Sequence, residues 1–354
     1  MRELTFIVPG SLRTVSGGYG YDRRIVAGLS ARDWTVAVRE LHDSFPFPTP
    51  EASAEAQSVL ASIADGDVVL VDGLAFGAMP DEAERERRRL KLVALVHHPL
   101  ADEAGLSVTD SKTLEKTERR ALATARRVIV TSRRTGARLD RYGVAADRIS
   151  VIEPGTDHAP LAVGSPEGRL HLLCVASLTP RKGHENLFRA LASIPHRGWR
   201  LTCVGSLDRP AAMAERLRRL ARTLGLEDQI AFAGEADGAR LRAHYESADV
   251  FVLPTLYEGY GMVVAEAVAH GLPVISTDTG AIAELVGDEA GIVVPPGDIG
   301  ALASALSQVL DDTDGRSARV RERLAQGARN VRSTLPTWED AARKMDDVLT
   351  GVIG

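Results

Sequence analysis

Short apolar runs alternate with helix-compatible stretches along this chain, and the alternation runs twice, on either side of one aperiodic, turn-rich break. Few architectures accept that pattern. An apolar run followed by an amphipathic stretch is a βα unit, and successive units build a parallel sheet covered by helices on both faces. In the first half the spacing predicts strands at Glu3 to Val8, Thr35 to Glu40, Asp67 to Val71, Lys91 to His97, Arg127 to Thr131 and Ile149 to Val151. Helices are expected over Gly20 to Ser30, Ala52 to Ile63, Asp81 to Arg89, Ser111 to Ala125 and Arg133 to Tyr142. The break spans Glu153, Pro154, Gly155, Thr156, Asp157, His158, Ala159 and Pro160, then Gly164 to Gly168, and reads as a domain linker. Strands restart at Leu170 to Ala176, Arg200 to Val204, Ile230 to Ala233, Val250 to Leu253, Val274 to Ser276 and Gly291 to Val294. A helix is expected in the tail, Pro336 to Val352, with apolar positions at Trp338, Ala342, Met345, Val348 and Leu349. At 354 residues the chain exceeds one comfortable core, so two domains are expected, 1–160 and 161–335, followed by the tail 336–354.

Composition narrows function. The chain is 44% hydrophobic and 26% charged with net charge -5, an ordinary globular balance that argues against bulk nucleic-acid binding. The one N-terminal apolar run, Leu4 to Val8, is too short for a signal or a span and is followed at once by Pro9 and Gly10, so a cytoplasmic protein is expected. Cys174 and Cys203 lie in strand-like runs without a CxxC or His-rich partner and read as buried thiols, not as a metal site. Solvated faces explain the charge-dense helices Asp81 to Lys91, Lys116 to Arg127 and Ala214 to Arg222. The basic face of Arg216, Arg218, Arg219 and Arg222 leaves peripheral membrane contact as a minority alternative.

The most informative local segment runs from Pro254 through Thr255, Leu256, Tyr257, Glu258, Gly259, Tyr260, Gly261, Met262, Val263, Val264 and Ala265 to Glu266. A strand, Val250 to Leu253, feeds a glycine-interrupted turn, and a helix follows until Gly271 and Pro273 stop it. Ligands of parallel α/β sheets bind beyond the carboxyl ends of strands, and helix N-terminal amides attract phosphate. Gly259 and Gly261 let a ligand approach closely. From Gly261 to Glu266 the helix rises roughly 7 Å, which suits a pyrophosphate-to-ribose span. A carboxylate repels phosphate but accepts hydrogen bonds from hydroxyls, so Glu266 suits ribose and Glu258 suits hydroxyls of the group that the diphosphate carries. Two exposed acidic side chains flanking a helix start explain the pair equally well.

Continued through Ala267 to Ile275 and on to Gly291, Val293, Pro295, Pro296, Gly297 and Asp298, this segment resembles the retaining glycosyltransferases of family 4, and the resemblance covers nearly the whole chain. It implies the GT-B fold, two Rossmann-like doubly wound domains facing across a cleft, with a nucleotide-sugar donor bound mostly by the second and the C-terminal helix crossing back to the first. It also implies transfer without a metal or other cofactor, to an acceptor that is a small molecule, a lipid-linked molecule or a glycan.

Other strand-end loops then take roles. Ser177, Leu178, Thr179, Pro180, Arg181, Lys182, Gly183 and His184 follow a strand, and fixed cations stabilise the charge growing on a departing diphosphate. Lys182 is the main candidate, with Arg181 beside it. Family members commonly carry an Arg where this chain has Ser177, which leaves open whether Arg181 substitutes. In the first half, Thr14 to Tyr21 form a glycine-rich loop opening a helix near Asp22, with Gly18 expected against the donor phosphates. Its GxGxxR pattern lacks the third small residue of a dinucleotide fingerprint, which disfavours a nicotinamide-dependent dehydrogenase. His97 and His98 end a buried-looking strand, and the resemblance implies that His97 positions the reacting groups. Glu235, in the turn Gly234 to Ala236, is a candidate near the donor base, and Ser132 to Arg134 either line the acceptor side or cap a helix. The expected donor set is therefore Gly18, Arg181, Lys182, Glu235, Gly259, Tyr260, Gly261, Met262, Val263 and Glu266, with Glu258 and His97 at the reacting centre. A sugar-nucleotide epimerase or hydrolase of the same fold, or a non-catalytic nucleotide-sugar binder, are the alternatives.

Overall fold

The computed structural model describes residues 2–103, 105–166, 168–195, 198–207, 211–311 and 315–354; Glu167, within the expected linker, lies outside them. The chain divides into two compact units, residues 1–155 with 336–354, and residues 156–335.

The first unit runs β1 (Arg2–Pro9), α1 (Gly17–Ser30), β2 (Trp34–Leu41), α2 (Pro50–Ala61), β3 (Val68–Asp72), α3 (Gly73–Phe76), α4 (Pro80–Glu86), β4 (Lys91–Val96), α5 (Val108–Thr124), β5 (Arg127–Val130), α6 (Arg133–Arg138) and β6 (Ile149–Val151). Its sheet is wholly parallel, in the order β2-β1-β3-β4-β5-β6. Every residue of β3 and all of β4 except Lys91 are buried, which is why these strands read as unbroken apolar runs and not as alternating ones. The edge strand β2 does alternate and carries Arg39 and Glu40 to the surface, which blunts an otherwise pairable edge. The chain winds one way from β1 to β2 and the other way from β3 onward. The carboxyl ends of β1 and β3 therefore border the switch point at which an open α/β sheet offers a crevice.

The second unit runs β7 (Leu170–Val175), α7 (His184–Ala192), β8 (Trp199–Val204), α8 (Ala211–Thr223), β9 (Ile230–Gly234), α9 (Gly238–Glu246), β10 (Val250–Leu253), α10 (Met262–Ala269), β11 (Val274–Thr277), α11 (Ile282–Val286), β12 (Gly291–Val294), α12 (Ile299–Leu310) and α13 (Arg316–Val331). Its strand order, β12-β11-β10-β7-β8-β9, repeats the first unit's logic with the switch between β7 and β10. Trp199, Phe188, Phe251 and Tyr245 anchor its core, each worth about 1.5–3 kcal/mol of burial. Both cysteines are free and buried.

The last helix, α14 (Trp338–Ile353), packs on α1 within the first unit. Small residues permit that approach, since a Cβ on Gly28 would stand 2.5 Å from the Cβ of Ala342. Tyr21 meets the Trp338 ring at 6.0 Å, the Arg24 guanidinium lies 5.3 Å from the same ring, and Arg2 pairs with Asp346 at 2.6 Å. No helix among the described residues is long and apolar enough to cross a membrane.

Several boundaries differ from the sequence expectation, α5 starting at Val108 and not Ser111 and α4 ending at Glu86 and not Arg89, and two further differences have a clear physical cause. Helix α1 starts at Gly17, not Gly20, because the Ser16 hydroxyl accepts the Tyr19 amide and caps the turn early; Gly18 and Gly20 are thus helical residues and not loop residues. The helix expected over Arg133 to Tyr142 is α6 followed by a tighter 3-10 turn, Leu139–Tyr142, ended by Gly143 at φ 73°.

Candidate functional site

In the second unit, the loops leaving β7 and β10 emerge side by side at the switch point. Pro180 opens a 3-10 turn, Pro180–Lys182, and Gly183 closes it at φ 70° while leading into α7. A Cβ at Gly183 would stand 2.0 Å from the Pro254 carbonyl oxygen, so only glycine lets the two loops touch here. The contact places Lys182 Nζ 2.6 Å from Glu258 Oε2, with both side chains largely enclosed at 12% and 15% exposure. The two residues are 76 apart in sequence.

The neighbouring strand fixes the turn. Thr277 donates to the Thr255 carbonyl at 2.5 Å and Ser276 to the Leu253 carbonyl at 2.7 Å, while Thr255 donates to the Tyr257 carbonyl at 2.8 Å. The loop after β11 presses from the other side, since a Cβ on Gly280 would stand 2.5 Å from the Glu258 carbonyl oxygen. The backbone below Glu258 is therefore set before any ligand arrives.

Arg181 is committed to the same turn. Its Nη1 donates to the Tyr257 carbonyl at 2.8 Å and lies 3.9 Å from Glu258 Oε1, while its own carbonyl accepts from the Leu256 amide at 2.7 Å. Ser177 stands exposed at the end of β7. The guanidinium thus braces the Glu258 turn. With Lys182 and Glu258 it leaves one net positive charge on the paired loops.

Gly261, at φ 100°, precedes the first turn of α10, where Met262 and Val263 contribute amides that a helix leaves without intrahelical acceptors. Tyr260 is buried beside them. Four residues on from Met262, Glu266 accepts from the Tyr245 hydroxyl at 2.8 Å, and that hydroxyl also reaches the Val263 carbonyl at 3.3 Å. Tyr245 is itself locked, its ring stacked on His270 at 5.0 Å and on Phe251 at 6.0 Å. Burial, with the Glu266 charge, holds the phenol well above its ordinary range, so it stays a donor. Glu235 stands apart, exposed in the turn after the edge strand β9.

In the first unit, His97 follows β4 and meets Asp22 Oδ1 at 3.2 Å and Asp72 Oδ2 at 3.4 Å, both through Nε2. Asp72 ends β3, and its other oxygen caps α3 by accepting the Leu74 amide at 2.8 Å. Asp22 sits on the buried face of α1 with Tyr21, Ile25 and Leu29. Gly18 lies under the imidazole, with the His97 ring 3.4 Å from where a Cβ would stand, and the Tyr21 ring meets it edge-on at 5.4 Å. Ligand-type atoms of Asp22, Asp72 and His97 lie within 4.8 Å of one another, and the imidazole's contact with both carboxylates makes this an ion-paired triad. His98 points elsewhere, pairing with Glu103 at 3.1 Å. Ser132 caps α6 by accepting the Thr135 amide at 3.0 Å.

Three side chains that the structure brings to the candidate sites were missed by sequence reasoning. Asp72 carries a usable signal, being the first polar residue after a fully apolar run, as His97 is. Asp22 carries only a weak one, a polar group on an otherwise apolar helix face, and Tyr245 is the one buried residue of α9 and carries none.

Two family models match the chain, "Glycosyltransferase Family 4" over residues 22–159 and "Glycosyl transferases group 1" over 159–331. The chain is 33% identical over 190 residues to the GDP-mannose-dependent alpha-(1-6)-phosphatidylinositol monomannoside mannosyltransferase of Mycobacterium tuberculosis, a match covering 51% of this chain and 47% of that protein. It spans about half the length of the curated relatives it matches. Among solved structures it is similar to the sucrose-phosphate synthase of Thermosynechococcus elongatus, with TM-score 0.83 and 25% identity over 99% of both chains. It shares its fold with HepE of Anabaena, crystallised with UDP and glucose, with TM-score 0.77 and 19% identity over 99% of this chain and 100% of that one. Two parallel six-stranded sheets of matching topology, together with family models that jointly run from residue 22 to residue 331, make this chain a member of the family 4 glycosyltransferases with the GT-B fold.

Proposed function

We propose that this protein transfers a sugar from a nucleoside diphosphate donor to a hydroxyl acceptor, with retention of anomeric configuration and without a metal ion. The observation that carries the reading is the Lys182–Glu258 pair at the switch point of the second sheet, beside the open amides of α10. Lys182 and the amides at Gly259 to Val263 take the diphosphate, where charge accumulates as the glycosidic bond to phosphate breaks. Glu258 accepts hydrogen bonds from hydroxyls of the donor sugar, and Glu266, steadied by Tyr245, accepts those of the ribose. His97 positions the reacting groups, with Gly18 packed beneath its ring. In a retaining reaction the departing phosphate oxygen can take the acceptor's proton, so no carboxylate base is needed beside the anomeric carbon. Two of the similar proteins fit such a donor, one being GDP-mannose-dependent and the other crystallised with UDP and glucose.

A thermal-shift screen of nucleoside diphosphates and their sugars tests this directly. The matching compound, at a hundred times its Kd, stabilises by about 2.7 kcal/mol. NMR of the product formed in the presence of a chelator then reads the anomeric configuration. No stabilisation by any nucleoside diphosphate would overturn the donor, and an inverted product or a chelator-silenced reaction would overturn the mechanism. Tyr245→Phe removes one hydrogen bond to Glu266 and keeps the ring stack. The expected result is nucleotide binding weakened about 2- to 10-fold, with the melting temperature lowered by only about 1–6 °C, from a loss of about 0.5–1.5 kcal/mol.

A further inference from the structure

Asp22 is fully buried and Asp72 nearly so, and both meet His97 at a single ring nitrogen, Nε2. Ionised carboxylates only accept hydrogen bonds, so the proton between them belongs to Nε2, and that nitrogen is fully used. Nδ1 has no hydrogen-bond partner among the described residues, while the side chain keeps 20% exposure. Asp22 Oδ2 is buried without a hydrogen-bond partner, so His97 supplies the hydrogen bond that the Asp22 carboxylate accepts. Away from that opening the residue is held, with Gly18 under the ring, Tyr21 at its edge and the Thr131 hydroxyl on the His97 backbone carbonyl at 3.3 Å.

We propose that Asp22 and Asp72 are positioning residues that hold His97 as an imidazolium, so that Nδ1 meets substrate as a fixed proton donor and not as a base. The triad sums to one net negative charge, so its ligand is an uncharged hydroxyl and not a phosphate. That the hydroxyl belongs to a sugar rests on the glycosyl-transfer reading; the protonation of the ring does not.

The electrostatics agree in direction. Burial alone would pull the imidazole down, but Asp22 and then Asp72 override it and push it up to about 10. Burial raises Asp22 to about 6 against the pull of His97, with Asp72 adding to the rise and Arg23 opposing it. Tyr21 is held well above its ordinary range by burial and the Asp22 charge, and Tyr19 is pushed up to about 12, chiefly by burial and then by Asp72, so both phenols stay neutral around the ring. A histidine raised in this way stabilises the fold fully below about pH 6.5 and loses that contribution as pH climbs through about 10.

Nitrogen-detected NMR of the histidine rings, with His97→Gln for assignment, tests the proposal in the full chain. In the wild type His97 stays doubly protonated from about pH 6 to about pH 9, and in Asp22→Asn its midpoint falls by about two units or more, toward the ordinary imidazole value. Asp72→Asn keeps an oxygen to cap α3 and moves the midpoint in the same direction, so it serves if Asp22→Asn does not fold. Measured against its own rate near pH 6, transfer by either variant drops about tenfold by about pH 8.5, as the ring loses its second proton. A wild-type midpoint between about 6 and 7, or a midpoint unmoved in both variants, overturns the proposal. The ring readout stands even if no transfer is detected, which would count against the glycosyl-transfer reading alone.

Discussion

Glu258→Ala is expected to cut sugar transfer by at least about 10²-fold while both units keep their folds, because it deletes a preorganised contact to the group that departs from phosphate. The carboxylate sits on a turn whose backbone is held by Thr255, Ser276 and Thr277, none of which needs the Glu258 side chain. Lys182 loses its partner, but its flexible stem retains some access to water at 12% exposure, and the core beneath is untouched. Glu258→Gln separates charge from shape. It keeps an oxygen that accepts from a sugar hydroxyl and loses the ion pair with Lys182, so its rate falls between those of wild type and alanine. Initial rates with the matched donor, read beside thermal melting, check both variants. Wild-type turnover in Glu258→Ala refutes the assignment, and so does a loss of activity that merely follows unfolding.

The sequence carried the sheets well because both are parallel and buried on two faces. Runs such as Val68 to Val71 and Val250 to Leu253 stay apolar throughout, and their ends are marked by the first polar, glycine or proline residue. The same logic made Lys182, Glu258 and His97 legible, since each follows a strand and lies in the loop where an α/β sheet keeps its ligands. The partners of these residues were not legible. Asp22 approaches His97 across 75 residues and Arg181 reaches the Tyr257 carbonyl across 76, distances over which no local pattern speaks. Asp72 is locally explained as a helix cap, so its second oxygen had no visible task. The start of α1 was missed by three residues because glycines at 17, 18 and 20 weaken the helical signal, and the Ser16 cap outweighs them.

Gly183 tests whether the two loops of the second unit must touch for the site to exist. An alanine there faces two costs. The left-handed conformation at φ 70° costs roughly 1–2 kcal/mol for a residue with a Cβ, and the new methyl lands 2.0 Å from the Pro254 carbonyl, a rigid backbone atom that cannot swing aside. Gly225, at φ 66° with nothing near its missing Cβ, bears the first cost alone. Gly225→Ala is therefore expected to lower the melting temperature by about 2–8 °C and leave donor binding unchanged. Gly183→Ala is expected to lower it further and, by wedging the loop after β7 away from the loop after β10, to separate Lys182 from Glu258 and abolish nucleoside diphosphate binding. Differential scanning calorimetry and ligand titration on the two variants, side by side, distinguish strain from displacement. If Gly183→Ala binds the nucleotide as tightly as Gly225→Ala, contact between these loops is not what assembles the site.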